Sequence, residues 1–158
     1  AYKEVFADAD SFEALEGFDK NAATEAVVAA GYADAIDDIQ VAKDASGSEL
    51  GYVITVTAKD ASQSTITFSV GIQNDGTVNG YSVTSIAETP GLGMKVEEES
   101  FYSQFQGKLV DTFNVVKSAP AADEEIEAIS GATISSRAIA NGVNAALTYF
   151  RSELGGAQ

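Results

Sequence analysis

Apolar residues fall into two different rhythms along this chain. Near the C-terminus, Ile139, Val143, Leu147, Phe150 and Leu154 recur at intervals of four, four, three and four. That spacing predicts a long helix, with Arg137, Asn141, Asn144, Thr148 and Arg151 filling the other side. In the middle, Tyr52 to Thr57 and Thr65 to Val70 are runs rich in β-branched residues, separated by the polar break Asp60-Ala61-Ser62-Gln63. Asn74-Asp75-Gly76 offers residues that tolerate positive φ, and Val78, Tyr81, Val83 and Ile86 resume the pattern beyond it. Two consecutive antiparallel hairpins follow from this.

The remaining segments carry weaker signals. A short strand over residues 39–42, turned by Asp44 to Ser48, would add an edge to the sheet. Before it, Phe12, Phe18, Val27, Val28, Tyr32 and Ile36 are scattered as in short helix and irregular chain laid against a sheet. Phe101 and Phe105, four apart, predict an amphipathic helix starting near Glu97 and ending before Gly107. Leu109 to Val116 reads as a further strand. The fold class expected is therefore α+β, a single domain with an antiparallel or mixed sheet, packed helices and a long C-terminal helix.

Composition sharpens this picture. The 158 residues are 45% hydrophobic and 21% charged, enough to bury a core in one domain. Cysteine and histidine are both absent, which removes disulfides, Cys or His metal sites, and nucleophilic chemistry that depends on either residue. Twenty-four acidic residues against 9 basic ones give a net charge of −15, so no nucleic-acid partner is expected. The acid excess is steepest at the start, with 12 acids and 3 bases in residues 1–50. No run approaches 18 consecutive apolar residues, and the start at Ala1 is compatible with an upstream signal or anchor.

Two short stretches carry candidate chemistry. Glu88-Thr89-Pro90-Gly91-Leu92-Gly93 must be a tight loop, since proline stops a strand and two glycines forbid regular structure. It is either a plain connection or a loop whose backbone N–H groups meet a ligand. Ser130-Gly131-Ala132-Thr133-Ile134-Ser135-Ser136 places four hydroxyls and a glycine ahead of the long helix, with Thr133 as the expected N-cap. Such a stretch either caps a helix or holds a phosphate against its first amides. Lys117 and Arg137 are the cations nearby in sequence.

Together these stretches resemble the two signatures, ETPGLG and SGAT-x-[TS]-S, of the FMN-binding domain family. That family occurs in the G subunit of the Rnf electron-transport complex and the C subunit of the sodium-pumping NADH:quinone reductase. The resemblance runs from about residue 48 to the end and includes Gly51-Tyr52-Val53, Gly71-Ile72 and Asp75-Gly76. It implies an acidic segment over 1–47 packing on the sheet and an FMN-binding domain over 48–158. It also implies FMN covalently attached through a phosphoester to Thr133, made from FAD by a flavin transferase that recognises Ser130 to Thr133, with Ser130, Gly131, Ala132, Ser135 and Ser136 as cofactor-binding residues. Thr89, Leu92 and Gly93 would line the ring with Glu88 nearby, Gly91 would contact the cofactor from the same loop, and Lys117 would reach it. Two departures stand out: Asp60 to Gln63 replaces a glycine-rich turn, and Glu127 replaces a frequent aspartate.

The implied role is electron carriage in an Rnf-type ion-translocating ferredoxin:NAD oxidoreductase complex rather than catalysis by the chain alone. Partners would be the other members of that complex, at the extracytoplasmic face of the membrane, through an N-terminal anchor absent from this chain. Alternatives are an Nqr-type C subunit, a freestanding extracytoplasmic FMN carrier for another reductase, and a non-redox structural module.

Overall fold

The computed structural model describes residues 2–61, 64–87 and 93–155. Its centre is a five-stranded antiparallel meander in chain order: β1 (Ser11–Ala14), β2 (Asp34–Lys43), β3 (Glu49–Ala61), β4 (Ser64–Gln73) and β5 (Val78–Ala87). The β-branched runs produce β3 and β4 as the pattern predicts. Ile54, Val56 and Ala58 of β3 and Ile66, Phe68, Val70 and Ile72 of β4 are fully buried on one face. Between these positions, Thr55 pairs with Ser69 and Thr57 with Thr67, each through a 2.9 Å hydroxyl contact. The β4–β5 turn uses Gly76 at φ +96°, and Asp75 accepts from the Thr77 N–H.

Helix α1 (Lys20–Ala29) and helix α3 (Thr133–Glu153) cover the apolar face. Asp19 caps α1 by accepting from the N–H groups of Asn21 and Ala22. In α3, Gly142 allows a close approach, because a Cβ there would stand 2.4 Å from Phe68 Cζ. The opposite face is covered by the N-terminal segment, where Val5, Phe6 and Ala9 pack on Ala42 and Val53.

Four elements differ from the sequence expectation. The first third supplies two strands as well as a helix, and β2 is a ten-residue inner strand rather than a short edge at 39–42. Its turn at Asp44 to Ser48 forms as expected, closed by Asp44 N–H to Ser48 O at 2.9 Å. The helix expected from Glu97 is broken into a 3-10 turn (Gly93–Glu97), a four-residue α2 (Glu99–Tyr102) and a second 3-10 turn (Ser103–Phe105). Phe101 and Phe105 are nevertheless buried, because Tyr81 packs edge-on against both. The strand expected over 109–116 shrinks to β6 (Asn114–Val116), which pairs in parallel with β7 (Glu125–Glu127), while Leu109 is exposed. Asn144, expected on the polar side of the last helix, is buried.

Candidate functional site

The segment entering α3 is built by its own hydrogen bonds. β7 ends at Glu127, and the next amide, Ala128 N–H, donates to Val116 O at 2.8 Å, extending the ladder. A tight turn follows over residues 129–132, closed by Ala132 N–H to Ile129 O at 2.9 Å. Its third residue, Gly131, has φ +79°, a region that L side chains rarely occupy. Ser136 then ties turn to helix: its Oγ accepts from Ile129 N–H at 3.0 Å and donates to Ala132 O at 2.8 Å.

This arrangement shifts the helix start by one residue from the expectation. Ala132 is the N-cap and has no side-chain capping bond, so Thr133 is the first helical residue. The reason is Ser136, whose hydroxyl closes the turn from inside the helix and leaves the cap position to a small residue. Among the described residues, the amides of Thr133, Ile134 and Ser135 have no hydrogen-bond partner. They form the positive end of a 21-residue helix whose first turn contains no acid. In a chain of net charge −15, that makes this helix end suited to an anion. Thr133 is half-buried, Ser130 and Gly131 are exposed, and Ser135 and Ser136 are buried.

Lys117 is exposed immediately after β6, next to the Val116 carbonyl that receives Ala128. Arg137, one turn into α3, is also exposed. Glu88, Thr89, Gly91 and Leu92 lie outside the described residues, and Gly93 opens the 3-10 turn that follows them.

The fold brings the end of β5 and the 3-10 turn from Gly93, which flank residues 88–92, to the same end of the sheet as the start of α3. Asn141 Nδ2 donates to Asp60 Oδ2 at 3.0 Å, so this part of α3 lies over the end of β3. Phe150 meets Tyr52 edge-on at 6.0 Å, so α3 runs antiparallel to β3. Thr133 is eight residues before Asn141, about 12 Å further along the axis. The β4–β5 register pairs Thr65 with Ala87, which ends β5 at that same end. The 3-10 turn at Gly93–Glu97 then packs against α3.

Two residues hold these parts together: Tyr81, which the strand pattern placed in β5, and Gln104, which no pattern marked. Tyr81 donates its hydroxyl to Val96 O at 2.5 Å, fixing the 3-10 turn to β5. Burial, with the nearby Glu97 charge, holds that phenol well above its ordinary pKa, so it remains a donor. Gln104 makes two hydrogen bonds to the backbone of Glu127, donating to its O at 3.1 Å and accepting from its N–H at 2.8 Å. No helical or strand rhythm marks a lone Gln between buried phenylalanines.

Comparison with known proteins agrees with this geometry. A sequence profile described as FMN-binding domain matches residues 62–148. The G subunit of a proton-translocating ferredoxin:NAD(+) oxidoreductase complex from Clostridium ljungdahlii is 36% identical over 107 residues, covering 68% of this chain and 57% of that protein. The G subunit of an ion-translocating oxidoreductase complex from Methanosarcina acetivorans is 34% identical over 113 residues, with 71% and 57% covered. The chain thus spans just over half the length of these relatives. The crystal structure of Shewanella oneidensis NqrC superposes with a TM-score of 0.59 at 21% identity, covering 73% of this chain and 58% of that one, a likeness of fold. With the profile spanning more than half of the chain and including both the β5–α2 connection and the start of α3, this protein belongs to the FMN-binding domain family.

Proposed function

We propose that this chain is the flavin-carrying domain of an Rnf-type ion-translocating ferredoxin:NAD oxidoreductase complex, with FMN joined to Thr133 through a phosphoester. The observation that carries the reading is the helix start itself. A threonine hydroxyl, three first-turn amides without partners among the described residues and a left-handed glycine lie where a phosphate would sit. These residues fit the phosphate end of FMN, and no described atom lies within 4 Å of a Cβ built on Gly131.

In this reading the residues divide the work. Thr133 Oγ forms the ester bond to the FMN phosphorus and gives up its proton. With FAD as donor, the pyrophosphate bond breaks and AMP leaves. The amides of Thr133, Ile134 and Ser135 orient the phosphate, and Ser136 and Gly131 hold the turn that presents it. Lys117 contributes positive charge from the end of β6. Glu88, Thr89, Gly91, Leu92 and Gly93 meet the ring, a role resting on the family signature. Bound flavin supplies the electron-transfer chemistry, and the protein sets its position and surroundings.

The two G-subunit relatives support placement in a membrane complex. No helix among the described residues is long and apolar enough to cross a membrane. Maturation then requires a flavin transferase. Co-expression with such a transferase should give a yellow protein whose flavin survives denaturation, and Thr133→Ala should lose it. Flavin retained covalently by Thr133→Ala would place the attachment elsewhere.

A further inference from the structure

The route from β5 to α3 contains one long arm, residues 107–132, whose end carries the proposed attachment turn. Two parts of the site are therefore far apart along the chain. The helical segment 93–105 is the next described element after β5, while the turn at 129–132 follows β7. The helical segment is firmly based: Phe101 and Phe105 are fully buried and stacked edge-on with each other at 5.5 Å. Tyr81 also binds Val96 O. β7 is three residues long and has β6 as its ladder partner.

Gln104 bridges these two parts. Its carboxamide meets both backbone groups of Glu127, the last residue of β7 and the third before Ser130. A carboxamide facing an N–H and a C=O on one residue fixes both distance and orientation, as a neighbouring strand would. Gln104 is half-buried, but Glu127 is exposed and both of its bonds to Gln104 lie in exposed surroundings, so loss of Gln104 does not strand buried polar groups and need not unfold the chain.

We propose that Gln104 is a positioning residue that locks the attachment turn to the helical segment 93–105, so that a flavin tethered at Thr133 is held in one orientation. This rests on the reading of Thr133 as the attachment site. The turn sets the direction in which the tether leaves Thr133, so the orientation of the flavin depends on the tie that fixes the turn to its support. Without the tie the ester still forms, because the transferase meets Thr133 and its neighbours, but the ring samples several orientations.

The test uses the full chain, flavinylated by co-expression with a transferase, as wild type, Gln104→Met, Gln104→Ala and Arg151→Met. Methionine keeps the chain length of glutamine and removes both hydrogen bonds. Arg151 donates to Asp111 O at 2.8 Å, so its variant removes a comparable side-chain tie from the start of the same arm. Covalent loading is read by intact mass, and ring immobilisation by visible circular dichroism and flavin anisotropy decay well below the melting temperature. Both Gln104 variants should load fully, lose visible circular dichroism and gain a fast local component in the anisotropy decay, whereas Arg151→Met should match wild type. Wild-type signals from both Gln104 variants, or the same loss in Arg151→Met, would overturn the role. Wild type taking up no covalent flavin, or Thr133→Ala retaining it, would instead overturn the attachment reading itself, and mass alone identifies that failure.

Discussion

Asn144 holds Phe113 by both ends of its backbone: Oδ1 accepts from the Phe113 N–H at 2.7 Å and Nδ2 donates to its C=O at 2.9 Å. Both residues are buried, so α3 supplies the polar partner that this stretch of arm would otherwise find in water. Asn144→Leu should leave two buried backbone groups unpaired and cost about 2–4 kcal/mol. Urea denaturation gives the figure directly, and a midpoint within error of wild type would mean that the arm finds water instead.

Phe150 tests the packing of the same helix. It is 1% exposed and contacts Tyr52 edge-on. Phe150→Ala should cost about 3–5 kcal/mol through the cavity it leaves. Arg151→Ala, losing a bond at the surface, should cost no more than about 1 kcal/mol. Similar urea midpoints for the two variants would contradict the burial of Phe150.

Asp34 makes stability depend on pH. It begins β2, is 1% exposed, and neither carboxylate oxygen has a hydrogen-bond partner among the described residues. Burial, then the neighbouring Asp60 carboxylate, push its pKa up to about 7, and the nearby Lys59 offsets only part of this. The folded-state value lies above the ordinary one, so the contribution is complete below about pH 4 and is lost as pH rises through about 7. The loss should reach on the order of 2–4 kcal/mol by pH 8. The chain has no histidine to compete in that window. Wild type should therefore weaken between pH 5.5 and 8 on chemical denaturation, while Asp34→Asn should stay flat and be the more stable at pH 8. Parallel pH profiles would refute this.

Gly131 separates backbone strain from collision. Its φ of +79° disfavours any other residue, yet no described atom lies within 4 Å of a Cβ built there. Gly131→Val should therefore cost about 1–2 kcal/mol through strain alone and displace the turn before Thr133. Flavin incorporated per chain, measured by absorbance after denaturation, should fall more than stability does. Full loading of the variant would show that the transferase tolerates a shifted turn.

How legible each part was depends on what its residues answer to. β3 and β4 announce themselves because one face is apolar and the other is a Thr and Ser ladder, a clean period of two. β2 hides because Asp34, Asp37, Asp38 and Gln40 interrupt its pattern, although Asp34, Ile36, Ile39 and Val41 are all buried. Its neighbours on both faces, α1 and the N-terminal segment, decide that burial, and neither is visible from β2 itself. Phe101 and Phe105 signalled burial correctly but not the type of helix, because Tyr81 receives them wherever the local turn allows. The Ser130 to Ser136 stretch was legible as a helix start, and the one-residue shift of the cap came from Ser136, whose hydroxyl bonds only the folded turn brings together.

The strand order carries a consequence for what counts as a separable unit. The FMN-binding domain profile begins at residue 62, just after β3 ends at Ala61. Yet β3 is the middle strand of the five, and α3 rests on it through Gly142, whose surroundings include Val56 as well as Phe68. Excising residues 62–148 would remove the floor beneath the helix that presents Thr133 and would expose the Ile66, Phe68 and Val70 flank of β4. The borders of the profile are therefore not those of the folding unit: an autonomous piece must start before β3, and because β2 pairs along nearly all of β3, it must take in the acidic first third as well.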